Sequence, residues 1–334
     1  MNLFNILILY LLPAQDFHTS DFRLPTSDQI STFSKYFHPN PGIFLLSYKP
    51  NPCIMKYIEF DLNDSQNFRF FVRKWIPEIP PKGLVLLIHG HSDHGGRFKM
   101  VAEAFVKEGF IFVAPDLRGN GKTDGKRGHF DTLDQMLADM KFLLEDCKKS
   151  YPGIPVVLYS QSMGGNLSLN YALRFPDDIK CVVASSPWLR LTKPPAAPVQ
   201  WAAALLHKIS PSFVIPNGLN GDDLCHDKEE AQAYINDPLN HGKVSVSTFF
   251  NIKESGEWAI KNASSLKIPV LLMHGDADPI TSYDASKEFH KNSNSLLTFL
   301  TFKGLFHELH NEPGEKEMIV GKAVEWVKSQ VAAG

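Results

Sequence analysis

With 334 residues and an apolar fraction of 43%, the chain can bury a full hydrophobic core, which excludes a disordered protein. Its 34 basic side chains nearly balance 36 acidic ones, for a net charge of -2, so nothing in the composition points to nucleic acid. The cysteines, Cys53, Cys147, Cys181 and Cys225, are widely spaced without a CxxC pair and read as buried free thiols rather than a disulfide framework.

Residues 3–12 are strongly apolar, yet far short of the roughly 20 residues that span a bilayer. No lysine or arginine precedes them and Pro13-Ala14 makes a poor cleavage signal. A removed export signal and a helix packed on the body or on a membrane surface are the open readings, with a cytoplasmic or membrane-peripheral protein the expectation. These residues begin a proline-containing, loop-rich arm, residues 1–53. Residues 54–60 and 68–76 read as strands joined at Asn63-Asp64-Ser65, hence a hairpin. Leu84-Val85-Leu86-Leu87-Ile88 is an unbroken apolar run, the mark of a strand covered on both faces. Residues 98–108 are helical and end at Gly109; residues 110–114 form a strand, and residues 119–128 a glycine-rich loop. Thr132-Leu133-Asp134-Gln135 has capping-box form, and Met136, Leu137, Met140, Leu144 and Cys147 follow at helical spacing.

Val156-Val157-Leu158-Tyr159 reads as a buried strand, and residues 166–175 as a helix stopped by Pro176. Between them stands Ser160-Gln161-Ser162-Met163-Gly164-Gly165. A serine on a strand-to-helix turn among small residues is a nucleophile elbow. The turn lifts the hydroxyl above the sheet and aims the first helix amides, which lack acceptors, at whatever the serine attacks. Ser160 stands at the usual first glycine and is small enough to fit. Strands at 181–184, 268–273 and 296–302, with helices near 283–290 and 315–331, continue the alternation. The pattern predicts the α/β class: a mostly parallel twisted sheet, helices on both faces, and ligands at the carboxyl ends of the strands. Residues 188–255 break the alternation and read as an inserted cap between core segments 54–187 and 256–334.

A serine nucleophile needs a base, and the base needs an acid to orient it. In such sheets the chain order is serine, acid, histidine. Asp278 and His307, at the ends of two later strands, satisfy that order, with Asp276 and His310 as alternates. The oxyanion donors are expected at the amide of Met163 and, in the loop after the first buried strand, at that of His91. The same loop, His89-Gly90-His91-Ser92-Asp93-His94, also fits the H-x-H-x-D-H pattern of zinc hydrolases. The serine constellation, and a hairpin-first order unlike that fold, favour the oxyanion reading. Gly119-Asn120-Gly121-Lys122-Thr123 lacks the full spacing of a phosphate loop and reads as a turn. The sequon at Asn166 falls on the elbow helix, where burial is expected.

Several stretches carry a family resemblance: Leu87-Ile88-His89-Gly90 with Asp93-His94-Gly95-Gly96-Arg97-Phe98; Pro115-Asp116-Leu117-Arg118-Gly119-Asn120-Gly121-Lys122-Thr123-Asp124-Gly125; Ser162-Met163-Gly164-Gly165; Asn236-Asp237-Pro238-Leu239; His274-Gly275-Asp276-Ala277-Asp278; and His307-Glu308-Leu309-His310-Asn311-Glu312. On these the chain resembles the α/β-hydrolases of the monoacylglycerol lipase and lysophospholipase type, from about residue 54 to the end. The resemblance implies the α/β-hydrolase fold and a serine esterase that cleaves single-chain lipid esters through an acyl-enzyme. It places nucleophile, acid and base on Ser162, Asp278 and His307, with no cofactor and no metal. It also implies a mobile cap over an acyl-chain tunnel, for which Trp201, Leu205 and Phe213 are the candidate contacts. The cap or the N-terminal segment is the candidate for peripheral membrane contact. The chain departs from the family at Ser160, Gln161, Asp93 and Asn120, which bears on the substrate. The alternatives are a general carboxylesterase or peptidase of the same fold, a non-catalytic binding protein of that fold, and the zinc hydrolase.

Overall fold

The structure, a computed structural model, describes residues 55–332; the apolar segment at 3–12, Cys53 and the arm before residue 54 lie outside them. The expected hairpin is β1 (Met55–Asn63) and β2 (Arg69–Pro77), paired antiparallel from Met55 opposite Pro77 to Asn63 opposite Arg69. Asp64 sets its turn: Oδ1 accepts from the amides of Gln66 and Phe68.

β3 (Gly83–Ile88) is buried throughout, as its apolar run requires. Alternation sends Leu84, Leu86 and Ile88 into one core and Val85 and Leu87 into the other. α1 (Lys99–Lys107) lays Val101 and Phe105 on the second face; a 3-10 turn, Gly95–Phe98, precedes it and Gly109 at φ 88° stops it. β4 (Phe110–Pro115) follows. α2 (Leu133–Ser150) begins where the Thr132 hydroxyl accepts from the Gln135 amide, and buries Met136, Met140 and Leu144 on the first face. The chain then runs through β5 (Val156–Gln161), α3 (Met163–Arg174) and β6 (Cys181–Ser185).

The insertion comprises α4 (Ala197–Ile209), β7 (Val214–Pro216), α5 (Lys228–Asn236) and β8 (Lys243–Ser245). β7 and β8 pair antiparallel as a ribbon separate from the main sheet. The expected cap boundary at 255 falls inside α6 (Val246–Asn262), which runs unbroken from the ribbon onto the core. Ile252, Ala259 and Ile260 join the first core, and Asn166 of α3 bonds into the helix, donating to the Ile252 carbonyl and accepting from the Ser255 hydroxyl. A helix whose second half packs like core cannot end where the alternation count suggested.

β9 (Val270–Gly275), α7 (Tyr283–Asn292), β10 (Leu297–Phe302) and α8 (Lys316–Ala332) complete the chain. The main sheet has the order β1-β2-β4-β3-β5-β6-β9-β10, and from β4 to β10 every pairing is parallel. α1 and α8 cover one face; α2, α3, α6 and α7 cover the other. Cys147, Cys181 and Cys225 are buried free thiols. With β3, β5, β9 and β10 parallel, the loops that follow them emerge at one edge, and that is where the candidate residues stand.

Candidate active site

Ser162 joins β5 to α3 with φ 55° and ψ -118°, a conformation a serine adopts only where its surroundings impose it. Its amide donates to the Ser185 carbonyl at 3.0 Å, and its carbonyl accepts from Asn166 at 3.1 Å and Trp188 at 2.9 Å. Gly164 is required by contact: a Cβ there would drive into the Ile88 carbonyl oxygen. Ser160 takes the usual glycine position without penalty, because its hydroxyl donates to the Val183 carbonyl at 2.9 Å. The Met163 amide, at the first helical position, has no intrahelical acceptor.

Beyond β9, the buried Asp278 carboxylate gathers donors on both oxygens. Oδ1 accepts from the amides of Ile280 at 2.8 Å and Thr281 at 3.0 Å. Oδ2 accepts from the Thr281 hydroxyl at 2.8 Å, His274 Nε2 at 3.1 Å and His307 Nδ1 at 2.8 Å. Burial alone would raise the Asp278 pKa, but His307 and His274 hold it well below the usual carboxylate range. Burial would likewise lower the His307 pKa, and the Asp278 charge and hydrogen bond outweigh it, leaving it raised above 6.5. With Nδ1–H donated to Asp278, Nε2 is the nitrogen left to accept a proton. The alternates go elsewhere. Asp276 is exposed and accepts from the Gly304 amide at 2.6 Å, a turn role. His310 is buried against Phe98, ring centroids 4.6 Å apart, and neither ring nitrogen has a partner among the described residues.

Ser162 and His307 line one cavity of about 180 Å³, with His91, Gln161, Asp93 and Glu308 on its polar side. Trp188, Leu191, Ile215, Val244, Phe249 and Ile280 supply much of its apolar wall. The expected cap contacts are corrected here. Trp201, Leu205 and Phe213 do not line the cavity and are 72%, 50% and 47% exposed. α4 buries no residue, so its apolar stripe faces outward. Trp188 and Phe249, which do line the cavity, flank the insertion near its two ends; their aromatic character at the cap's roots was the available signal. Gln161, read only as an irregular elbow residue, also lines the cavity.

The members of the histidine-rich loop are spent separately. His89 sits between the Gly90 carbonyl and the Leu117 amide. The ring of His91 reaches the Lys243 carbonyl at 2.8 Å, and that of His94 reaches Asp237 at 2.9 Å. Asp93 caps the His94 amide and lies 3.2 Å from Arg97, which also grips Glu308 through two bonds of 2.8 Å. Among the described residues no group of three such side chains is arranged to hold a metal. The glycine-rich loop wraps a carboxylate rather than a phosphate: the Lys122 amide donates to Asp116 Oδ2 at 2.8 Å. Asn166 is fully buried, as its position on the elbow helix implied.

Comparison with known proteins finds relatives over most of the described chain. The profile of the family described as serine aminopeptidase, S33, matches residues 79–314. A monoacylglycerol lipase of Mycolicibacterium smegmatis is 29% identical over 259 residues, 77% of this chain and 92% of that protein. Phospholipase YtpA of Bacillus subtilis is 27% identical, over 71% of this chain and 92% of its own length. The crystal structure of Paleococcus ferrophilus monoacylglycerol lipase superposes with a TM-score of 0.73 at 32% identity, covering 78% of this chain and 99% of that one.

Burial alone would raise the Glu308 pKa, and Arg97 overrides it, holding the carboxylate below its ordinary range. Arg97→Met would strand two buried carboxylates and should destabilise the fold by about 3–5 kcal/mol in urea unfolding at neutral pH. A depressed carboxylate contributes fully above its unfolded pKa and loses that contribution as pH falls through its folded one. The gap between wild type and variant should therefore narrow in acid.

Proposed function

The chain belongs to the serine aminopeptidase S33 family of α/β-hydrolases, and from that membership we propose that it hydrolyses the ester of a single-chain glycerolipid through an acyl-enzyme on Ser162. In this reading Ser162 Oγ attacks the ester carbonyl while His307 Nε2 takes its proton. Asp278 holds the imidazole in the tautomer that leaves Nε2 free and stabilises the imidazolium that forms. The amides of His91 and Met163 receive the charge developing on the carbonyl oxygen. His307 then protonates the leaving alcohol and, in the second half, takes a proton from the water that releases the fatty acid. Every proton is handled by the chain's own groups.

The observation that carries the substrate class is the apolar wall that Trp188, Leu191 and Phe249 build beside Ser162. A peptide with a free ammonium would want an uncommitted carboxylate there. The two carboxylates present, Asp93 and Glu308, already face Arg97. Relatives named monoacylglycerol lipase support the same choice. The cavity is smaller than the roughly 300 Å³ and more that enclose a drug-sized ligand, so a long acyl chain has to extend past the wall toward the cap.

The outer cap supports peripheral contact with a lipid surface. Val199, Trp201, Leu205, Ile209 and Phe213 are each between 47% and 74% exposed within one short segment. Large apolar side chains gathered this way fit a membrane interface, where a substrate of one acyl chain resides.

Three outcomes test these roles. Ser162→Ala should leave the protein folded and abolish both fluorophosphonate labelling and turnover of monoacylglycerol, with lysophospholipid and prolyl peptide as comparison substrates; residual turnover would assign the nucleophile elsewhere. Because His307 must be unprotonated to accept from Ser162 and its pKa is raised, kcat/KM should fall as pH drops through a value above 6.5. Replacing Trp201 and Ile209 together by serine should weaken co-sedimentation with lipid vesicles while leaving hydrolysis of a short soluble ester intact.

A further inference from the structure

We propose that the cap holds the His91 amide in register through Ser92, making Ser92, His241 and Asn120 a positioning device for the reaction read above; the inference rests on that reading. Ser92 is fully buried and sits at φ 62°, left-handed backbone that a residue with a Cβ keeps only when neighbours over-determine it.

The neighbours form a closed ring whose donors and acceptors can be assigned. The Ser92 amide donates to Asn120 Oδ1 at 3.1 Å, and Asn120 Nδ2 donates to the Arg118 carbonyl at 2.9 Å, which fixes the amide's orientation. His241 Nε2 lies 3.0 Å from the same Oδ1 and must be the protonated nitrogen. His241 Nδ1 is then the acceptor, and it takes the Ser92 hydroxyl proton at 3.1 Å. The cap adds two more bonds: Asn217 Nδ2 donates to Ser92 Oγ at 2.9 Å, and the Tyr234 hydroxyl donates to the Ser92 carbonyl at 3.1 Å. His91 itself is tied by its ring to the Lys243 carbonyl.

The arrangement answers a need of the chemistry. A donor to a developing oxyanion is worth most when its direction is fixed before the charge appears. The residue before His91 is Gly90, which has no side chain to hold the peptide; a Cβ there would strike Gln161 Oε1. Orientation has to come from the other side, and there the tethers from Asn217, Tyr234, His241 and Lys243 converge on residues 91 and 92. Asn120, a departure from the family pattern, is the member that joins the loop amide to the cap histidine.

The test is a double-mutant cycle on a short soluble ester, with fluorophosphonate labelling rate as a second readout. His241 does not line the cavity, so His241→Ala should lower kcat about tenfold or more with KM little changed. Ser92→Gly keeps a backbone suited to positive φ, so it should fold and lose kcat comparably. Both variants break one ring, so the double variant should be no slower than the slower single one. His241→Gln, which can still donate to Asn120, should recover part of the loss. Unchanged kcat in His241→Ala, or losses that multiply in the double variant, would overturn the inference while an active wild type upheld the hydrolase reading. A wild type that neither turns over ester nor labels would overturn both.

Discussion

Everything at the site depends on a serine held where serine does not rest by itself. The backbone at Ser162 is imposed from three directions: β6 takes its amide, α3 and the segment entering the cap take its carbonyl, and the Ile88 carbonyl presses on Gly164. Each restraint belongs to a different strand or helix. The turn therefore depends on β3, β5 and β6 lying side by side, and the packing around them offsets its strain. That links fold to function directly, because a sheet with β3, β5 and β6 out of register would relax the elbow and lower the hydroxyl.

Asp278 complements this from the loop after β9, at the same edge of the sheet. A carboxylate with that many donors stays ionised in a buried place, where an unassisted one would take up a proton. Its retained charge keeps His307 oriented and basic. The Thr281 hydroxyl and His274 on Oδ2 are supports that no motif announced, although His274 opens the His-Gly-Asp-Ala-Asp stretch.

Much of this was legible in the sequence, for identifiable reasons. Continuous apolar runs such as 84–88 mark central strands, because a strand covered on both faces has no polar side to show. Strand-end positions singled out Ser162, Asp278 and His307, because parallel strands deliver their loops to one edge. The sequence preferred Asp278 and kept Asp276 as the alternate, since both follow the same strand; burial and the bond to His307 separate them in the structure. The cap was harder. Apolar periodicity on residues 201–209 says that one helix face is greasy, not which way the face points, and it points outward. The histidine-rich loop was read as the oxyanion loop, but the side-chain partners of its members were not legible, because residues 217, 234, 237, 241 and 243 lie far along the chain.

The continuity of α6 makes it the support of the insertion. One helix carries β8 into the core, so the ribbon is moored like a bracket welded at one end. α4 leans on that same helix from outside: its His207 ring lies 5.4 Å from that of Phe250, and Gln200 accepts from Lys253 at 2.7 Å. Both parts of the insertion therefore hang from a single beam, and a shift of α6 would carry them together.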